Sequence, residues 1–521
     1  MIMWVVLVAY LVIMIGIGVY CRKKTSNVND FVLGGRNIGG WFTAFAYGTS
    51  YFSAVVFIGY AGQFGWLYGV SATWIGIGNA LIGSLLAWIV LGRRTRIMSK
   101  HLQASTMPEF FEKRYNSKAL KTFSALIVFV FLIPYTASVY NGLSRLFESA
   151  FHIPYKWCII GMAVFTAIYV IVGGYKATAI NDFVQGLIML AGISAVVICA
   201  INNKGGLSSA FEQMKLIPND KTGVSGDYGS IFGPDPINLI GVVILTSLGT
   251  WGLPQMVQKF YAIKDDAAIK RGSIISTIFA LVVAGGSYFL GGFGRLFSTL
   301  SGEEGKNAIS ILSNGKPDYD SIIPSVLNTA LPEILMGIVI VLVLSASMST
   351  LSSLVLASSS TLTIDLVKPR MKNGMDEKKQ VLWIRIFIAL FLIISVVIAM
   401  NKNAYISTLM SISWGALAGA FLAPFMYGLF SKKITKAAVW ASLISGVGIT
   451  VVHMCLFSLG WFPELVETVA SKDWKLSVMS PLNAGAFAML FGLVLVPIVS
   501  LFTKQKEEDK KNTEEVFTCF N

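Results

Sequence analysis

Charge is scarce in this chain: Asp, Glu, Lys and Arg make up 13% of its 521 residues, about half of the ~25% usual in soluble domains. Hydrophobic residues make up 55% and the mean hydropathy is +0.69. An ordinary water-soluble protein is excluded, because apolar runs repeatedly exceed the ~20 residues that a spanning helix needs. Histidine is rarer still. His101, His152 and His453 are dispersed and no HExxH occurs, so a zinc-type centre is not expected. The five cysteines, Cys21, Cys158, Cys199, Cys455 and Cys519, show no paired spacing, which argues against a disulfide framework or metal cluster. Gly305-Lys306 and Gly315-Lys316 lack the rest of a phosphate loop, so no ATP hydrolysis and no organic cofactor are expected. Any transport must then draw on an ion or solute gradient. Acidic residues number 27 against 41 basic ones. The basic ones lie in short segments between apolar runs rather than on one face of a domain, so membrane topology explains them and nucleic acid is not an expected partner.

What is present is a succession of apolar spans. The first, Ile2 to Tyr20, has no basic residues before it and no cleavage pattern after it, and Arg22, Lys23 and Lys24 follow. The positive-inside rule puts the amino terminus outside and retains this helix. Counting onward gives spans near 40-64, 72-92, 120-148, 154-174, 179-201, 237-258, 272-298, 330-366, 380-400, 405-430, 436-460 and 483-503, thirteen in all. The basic groups Arg93, Arg94 and Arg96, then Lys113 and Arg114, then Lys259, Lys264, Lys270 and Arg271, then Lys368 to Lys379, then Lys432, Lys433 and Lys436, then the Lys504 to Lys511 tail, all fall on one side with this count. The carboxyl terminus is then inside, and segments near 202-236, 301-329 and 461-480 are external.

Two features carry chemistry. Residues 346 to 353, Ala-Ser-Met-Ser-Thr-Leu-Ser-Ser, put five hydroxyls into a spanning segment. Helical spacing puts Ala346, Ser349, Thr350 and Ser353 on one face with Ser352 beside Ser349. Such a stripe either packs closely against another helix, its hydroxyls bonded back to carbonyls, or offers oxygen ligands to a hard cation. The second feature is a pair of interrupted spans. Gly48 lies among hydroxyls in Phe45 to Ser53, and Gly249-Thr-Trp-Gly-Leu-Pro254 contains a residue without an amide donor. Each reads alone as a kink. Together they open two five-helix blocks, spans two to six and seven to eleven, and odd-numbered blocks must lie in the membrane with opposite topology.

The sequence is similar to the sodium/solute symporters, the family of proline, pantothenate, sugar and sialic acid carriers. The likeness rests on Phe31-Val-Leu-Gly-Gly-Arg36, Gly173-Gly-Tyr-Lys-Ala-Thr-Ala-Ile-Asn-Asp182, Gly252-Leu-Pro-Gln255 and Met348-Ser-Thr-Leu-Ser-Ser353 in this order and spacing, and runs through almost the whole chain. Residues 412-430 resemble the proline branch. The resemblance implies an all-α polytopic protein with a LeuT-like five-plus-five inverted repeat and three extra helices. Its parts are residues 1-39, a first repeat at 40-201, an external loop at 202-236, a second repeat at 237-430, two further helices at 431-503 and a cytoplasmic tail at 504-521. It implies a shared sodium site of the Thr49, Phe52 and Ala346 carbonyls with the Ser349 and Thr350 hydroxyls. It implies also a second sodium site at Asp182, Ser349, Ser352 and Ser353. Asp182 has a second reading, as the N-cap of a span beginning at Asn181-Asp182.

The expected activity is sodium-coupled import, not enzymatic catalysis, of a small organic solute across the inner (plasma) membrane, with an amino acid such as proline or a monocarboxylate as cargo. Aligned with the proline carriers, their aromatic solute contacts fall on Thr246 and Thr250, their acidic residue falls on Tyr51, and their proline is kept as Pro254. Ser53, Thr250, Trp251 and Pro254 are the expected solute pocket. Asn181-Asp-Phe-Val-Gln-Gly186 also resembles pantothenate carriers, so a pantothenate or sugar-type symporter is the alternative. A proton-coupled carrier or channel would favour a chain of titratable groups inside the bundle. Asp182 stands almost alone there, with Glu109, Glu112 and Asp365 reading as helix-end or loop residues. A membrane sensor would need a signalling module, for which the tail leaves no room.

Overall fold

The computed structural model describes residues 2–22, 27–299, 309–313, 316–371, 374–400, 406–459, 461–472 and 475–520. Lys23 and Lys24, two of the three residues of the first basic cluster, lie outside them. The described chain is almost entirely helical, because backbone groups in a hydrocarbon environment must be satisfied within their own segment. The exceptions are two small strand pairs between residues 298 and 317. Ser298–Thr299 runs parallel to Ile309–Ser310, and Leu312–Ser313 runs antiparallel to Lys316–Pro317.

Among the described residues, nine helices are long and apolar enough to cross a membrane, or ten if the bent pair Pro236–Gly252 and Pro254–Ala262 is one span. This is fewer than the thirteen counted from hydropathy. Two of the nine, Val55–His101 and Tyr155–Asn203, are 47 and 49 residues long, more than twice the bilayer requirement of ~20. Each contains a glycine with positive φ, Gly69 at 61° and Gly174 at 59°, a backbone that L side chains rarely adopt. The chain turns at those points while its helical hydrogen bonding runs on. Consequently Asp182 lies inside the helix Tyr155–Asn203, eight residues past the Gly174 kink. The N-cap reading of Asp182 is therefore corrected: no helix starts there.

Burial orders the helices. The membrane-length window of Leu335–Arg370 is 94% buried and that of Ile406–Phe430 is 89% buried, against 28% for Glu377–Ala399 and for Lys436–Ser458. The first two are central and the last two peripheral. Apolar exposure on the outer helices, as at Leu382, Ile393, Val397 and Val494, is what a lipid-facing surface requires. Close approach in the interior depends on small residues. A Cβ at Gly65 would fall 1.9 Å from the Gly291 carbonyl oxygen, and one at Gly291 would fall 2.0 Å from that of Ala61.

The basic loops gather at one end. Arg114, fully buried, donates to the carbonyls of Gly428 and Ser431 at 2.9 and 2.8 Å and to Thr513 at 3.2 Å. Lys432 pairs with Glu514 and Lys436 with Asp509, both at 2.6 Å. The tail is thus more than a loose charged extension. Glu507–Phe517 is a helix that buries Val516 and Phe517 against this end, and its first turn is acidic, which complements the helix dipole. At the opposite end Arg295 grips Asp220 with two bonds of 2.6 and 3.1 Å, and Asn238 links to the Lys475 carbonyl at 3.1 Å.

Candidate functional site

The first interrupted span is a true break. The helix Gly40–Tyr51 ends at Phe52, whose φ of −101° and ψ of 122° are extended, and helical turns resume at Val55. The second break repeats it: Leu253 takes φ −82° and ψ 123°, and Pro254–Ala262 starts afresh at a 47° bend. The last carbonyls of an arm have no amide ahead of them, so each break leaves oxygen atoms seeking a partner deep in the bundle.

The helix Glu333–Thr361 lies across the first break. Thr350 Oγ1 stands 3.4 Å from the Thr49 carbonyl oxygen, 3.5 Å from that of Ser50, 3.4 Å from that of Phe52 and 3.1 Å from that of Ala346. A hydroxyl has one proton. It donates to one of these carbonyls, and the others remain turned toward the same point. Ser349 Oγ donates to Thr49 Oγ1 at 2.7 Å. Thr49, Phe52, Ala346, Ser349 and Thr350, named from the sequence as one ligand set, are therefore gathered within a few ångströms, all at most 1% exposed. A cluster of neutral oxygens of this kind suits a hard cation, replacing its hydration shell.

Next to it is a second cluster. Ser352 Oγ donates to the Ser349 carbonyl at 2.8 Å, Ser353 Oγ meets Ser50 Oγ at 2.8 Å, and Ser349 also faces the Asp182 carboxyl group. Both Asp182 oxygens are buried without a hydrogen bond. The nearest opposite charge is Lys259, whose Nζ is 3.9 Å from Asp182 Oδ2 and donates to Ser353 Oγ at 2.9 Å. This corrects the placing of Lys259 among the basic residues of a loop. It belongs to the second arm of the second break, 1% exposed. Asp365, read as a helix-end or loop residue, lies near the end of the helical run Leu335–Arg370, but it is buried there, accepts from Thr106 at 2.7 Å and lies 3.6 Å from Lys121. Asp320, which the sequence did not single out, is buried 3.6 Å from Arg145.

Between the breaks lies an aromatic group with unmet polar atoms. Tyr51 donates to the Thr246 carbonyl at 2.6 Å, joining the two broken spans. Its ring is 6.1 Å from Trp414, which is 5.9 Å from Tyr135. The Tyr135 hydroxyl faces Ser53 and Trp414 without closing a bond to either. Trp414 Nε1, the Tyr288 hydroxyl and Ser413 Oγ are also buried and unpartnered. Of the expected solute residues, Ser53 borders this group and caps the restart by accepting from Val55 N at 3.2 Å. Thr250 donates to the Gly83 carbonyl at 3.2 Å and Trp251 to that of Ile82 at 3.0 Å. Pro254 opens the second arm. Tyr135, Tyr288 and Trp414 were not read as site residues from the sequence, where isolated aromatics in apolar spans carry no distinguishing signal.

Residues 31–446 match the profile of the sodium:solute symporter family. The osmoregulated proline transporter OpuE of Bacillus subtilis (strain 168) is 30% identical over 441 residues, covering 84% of this chain and 85% of that one. A sodium/proline symporter of Staphylococcus aureus (strain JH9) is 29% identical over 458 residues, covering 86% and 85%. The fold is that of a Na+-coupled sialic acid symporter in a substrate-bound outward-open state, with a TM-score of 0.72 and 16% identity across 97% of this chain and 98% of the other. The protein is a multi-pass membrane transporter, not an enzyme. The broken spans, the hydroxyl-lined helix across the first of them and these similarities lead to one conclusion: the chain belongs to the sodium:solute symporter family.

Proposed function

We propose that this protein carries a small organic solute with sodium across the cell's inner (plasma) membrane, proline or a related small carboxylate being the cargo class. The observation that carries this reading is the crowding of four carbonyl oxygens around the single hydroxyl of Thr350. The ion would sit among the Thr49, Phe52 and Ala346 carbonyls and the Ser349 and Thr350 hydroxyls, joining the hydroxyl-lined helix to the first break. The second oxygen cluster, Asp182 with Ser349, Ser352 and Ser353, is a further place for positive charge beside it. The solute would occupy the aromatic group, where its polar atoms satisfy Tyr135, Trp414 and Tyr288, with Ser53, Thr250, Trp251 and Pro254 along the flanking breaks. The relatives named as proline carriers support that cargo class.

On this reading the two helical runs bent at Gly69 and Gly174 are two spans each. With the bent pair and the N-terminal helix Ile2–Arg22 counted as well, the total is thirteen, with the amino terminus outside, the carboxyl terminus inside and a five-plus-five LeuT-like repeat at spans two to eleven. One sodium ion crossing down a tenfold gradient and ~100 mV releases roughly 1.4 plus 2.3 kcal/mol, enough for an accumulation of a few hundredfold. The test is uptake of radiolabelled proline, other amino acids, monocarboxylates and pantothenate into proteoliposomes. A solute should accumulate with an inward sodium gradient and not with potassium or choline. Equal uptake of the carried solute under all three would overturn the reading.

A further inference from the structure

The second oxygen cluster already contains a cation, and that cation is covalently part of the chain. Lys259 Nζ donates to Ser353 Oγ at 2.9 Å, stands 3.9 Å from Asp182 Oδ2 and lies 5.1 Å from the centre of the Tyr175 ring. Its side chain is 2% exposed and that of Asp182 is fully buried. Asp182 and Ser353 are two of the four residues that the family resemblance assigns to a second sodium ion. We propose that the Lys259 ammonium is a tethered substitute for that second ion, so that this carrier moves one sodium per cycle.

Three observations support this, given the shared sodium site proposed above. The first is charge. A buried carboxylate needs one compensating positive charge, Lys259 provides it, and a sodium ion added beside the ammonium would place two like charges in one water-poor pocket. The second is geometry. A direct charge-assisted bond from a lysine to a carboxylate would measure ~2.7–2.9 Å, whereas here the ammonium is bonded to a serine hydroxyl at 2.9 Å and stands 3.9 Å from the nearer Asp182 oxygen. That is the arrangement of a monovalent cation among mixed oxygen ligands. The third is connectivity. Lys259 belongs to the second arm Pro254–Ala262, Ser353 to the helix Glu333–Thr361 and Asp182 to the helix Tyr155–Asn203, and Ser353 continues to Ser50 of the first broken span at 2.8 Å. The ammonium therefore joins the two broken spans through the elements that a bound ion in this cluster would join. Unlike a free ion, it does not dissociate.

The experiment is equilibrium binding of ²²Na⁺ to the purified full chain in lipid nanodiscs, which requires no knowledge of the solute. The wild type should saturate at one ion per chain. Lys259→Ala vacates the cluster and leaves the Asp182 carboxylate, so it should saturate at two, and Lys259→Arg should stay at one. The neutral pair Lys259→Met with Asp182→Asn removes both charges together and should also bind one; a second ion bound there would overturn the proposal, which keeps it falsifiable if Lys259→Ala does not fold. Saturation of the wild type at two overturns the proposal, as does a folded Lys259→Ala that remains at one. A wild type that binds none, while Lys259→Ala binds one, would instead sink the shared-site reading and leave the tethered cation standing.

Discussion

Replacing Thr350 with Val removes one oxygen from the centre of the proposed ion site while keeping the branched shape of the side chain. Thr350 is 1% exposed, and its hydroxyl lies 3.1 to 3.5 Å from the carbonyls of Ala346, Thr49, Ser50 and Phe52. Its shortest contact returns to the Ala346 carbonyl one turn back, at 3.1 Å. Loss of that bond should cost about 1 kcal/mol of folding stability. Loss of an oxygen facing a bare cation is larger, on the order of 1.5–3 kcal/mol for a bond to a charged group. At ~1.4 kcal/mol per tenfold, that raises the half-saturating sodium concentration about ten- to a hundredfold. The assay is ²²Na⁺ binding or sodium-dependent uptake as a function of sodium concentration. Ser347→Ala is the matched control, since the Ser347 hydroxyl on the same helix donates only to the Val343 carbonyl at 2.7 Å. A Thr350→Val protein with the wild-type sodium dependence would refute the placement of the ion.

Three other outcomes follow from the packing and the surface. Gly65→Ala should lower the melting temperature by several degrees, because a Cβ there meets the Gly291 carbonyl oxygen at 1.9 Å and overpacking of this sort costs about 1–3 kcal/mol. Gly16→Ala, with nothing within 4 Å of the new atom, should be neutral; equal melting of the two would contradict the packing. Arg114→Ala removes three bonds that hold the tail and the loop at 428–431, a loss of about 2–4 kcal/mol at ~1 kcal/mol or slightly more each. Trypsin should then cut at Lys510 and Lys511 at least tenfold faster, and an unchanged rate would show that the tail is held elsewhere. Hydrogen bonds from Arg295 hold the Asp220 carboxyl below its ordinary range. A depressed acid stabilises the fold above the unfolded value of ~3.9 and loses that contribution as pH falls through the folded value. The protection of amides across residues 217–229, measured against their intrinsic exchange rates at each pH, should therefore fall on going from pH 7 to pH 3, and Asp220→Asn should lose the difference.

Local patterns were legible in the sequence and distant contacts were not. The hydroxyl run at 346–353 and the breaks at Gly48 and Pro254 announce themselves because a helix in lipid tolerates polar groups and missing amides only where something else compensates. Spacing gave two blocks of five, and the family resemblance then placed the Ser349 and Thr350 hydroxyls opposite the first break. Lys259 was misread because a lysine just past an apolar run looks like a loop charge under the positive-inside rule. Here the chain restarts at Pro254 and keeps the lysine inside. Asp182 resembled a helix cap because hydropathy starts a new span near Asn181-Asp182, yet the chain only kinks at Gly174 and the following turns continue without a new start. The aromatic group of Tyr51, Tyr135 and Trp414 assembles from three separate helices, so no window of sequence contains it.

The central claim is that sodium and solute bind in a coupled way at adjoining sites. It is tested most directly by the thermal stability of the purified protein in the presence of small solutes, each in sodium and in potassium. Binding of either partner to the folded state raises stability, and coupling is reciprocal, so the solute shift must depend on the ion. The account predicts that a small carboxylate such as proline stabilises the wild type markedly more in sodium than in potassium, and that Thr350→Val erases this difference at moderate sodium. A solute that stabilises the protein equally in both salts would contradict it.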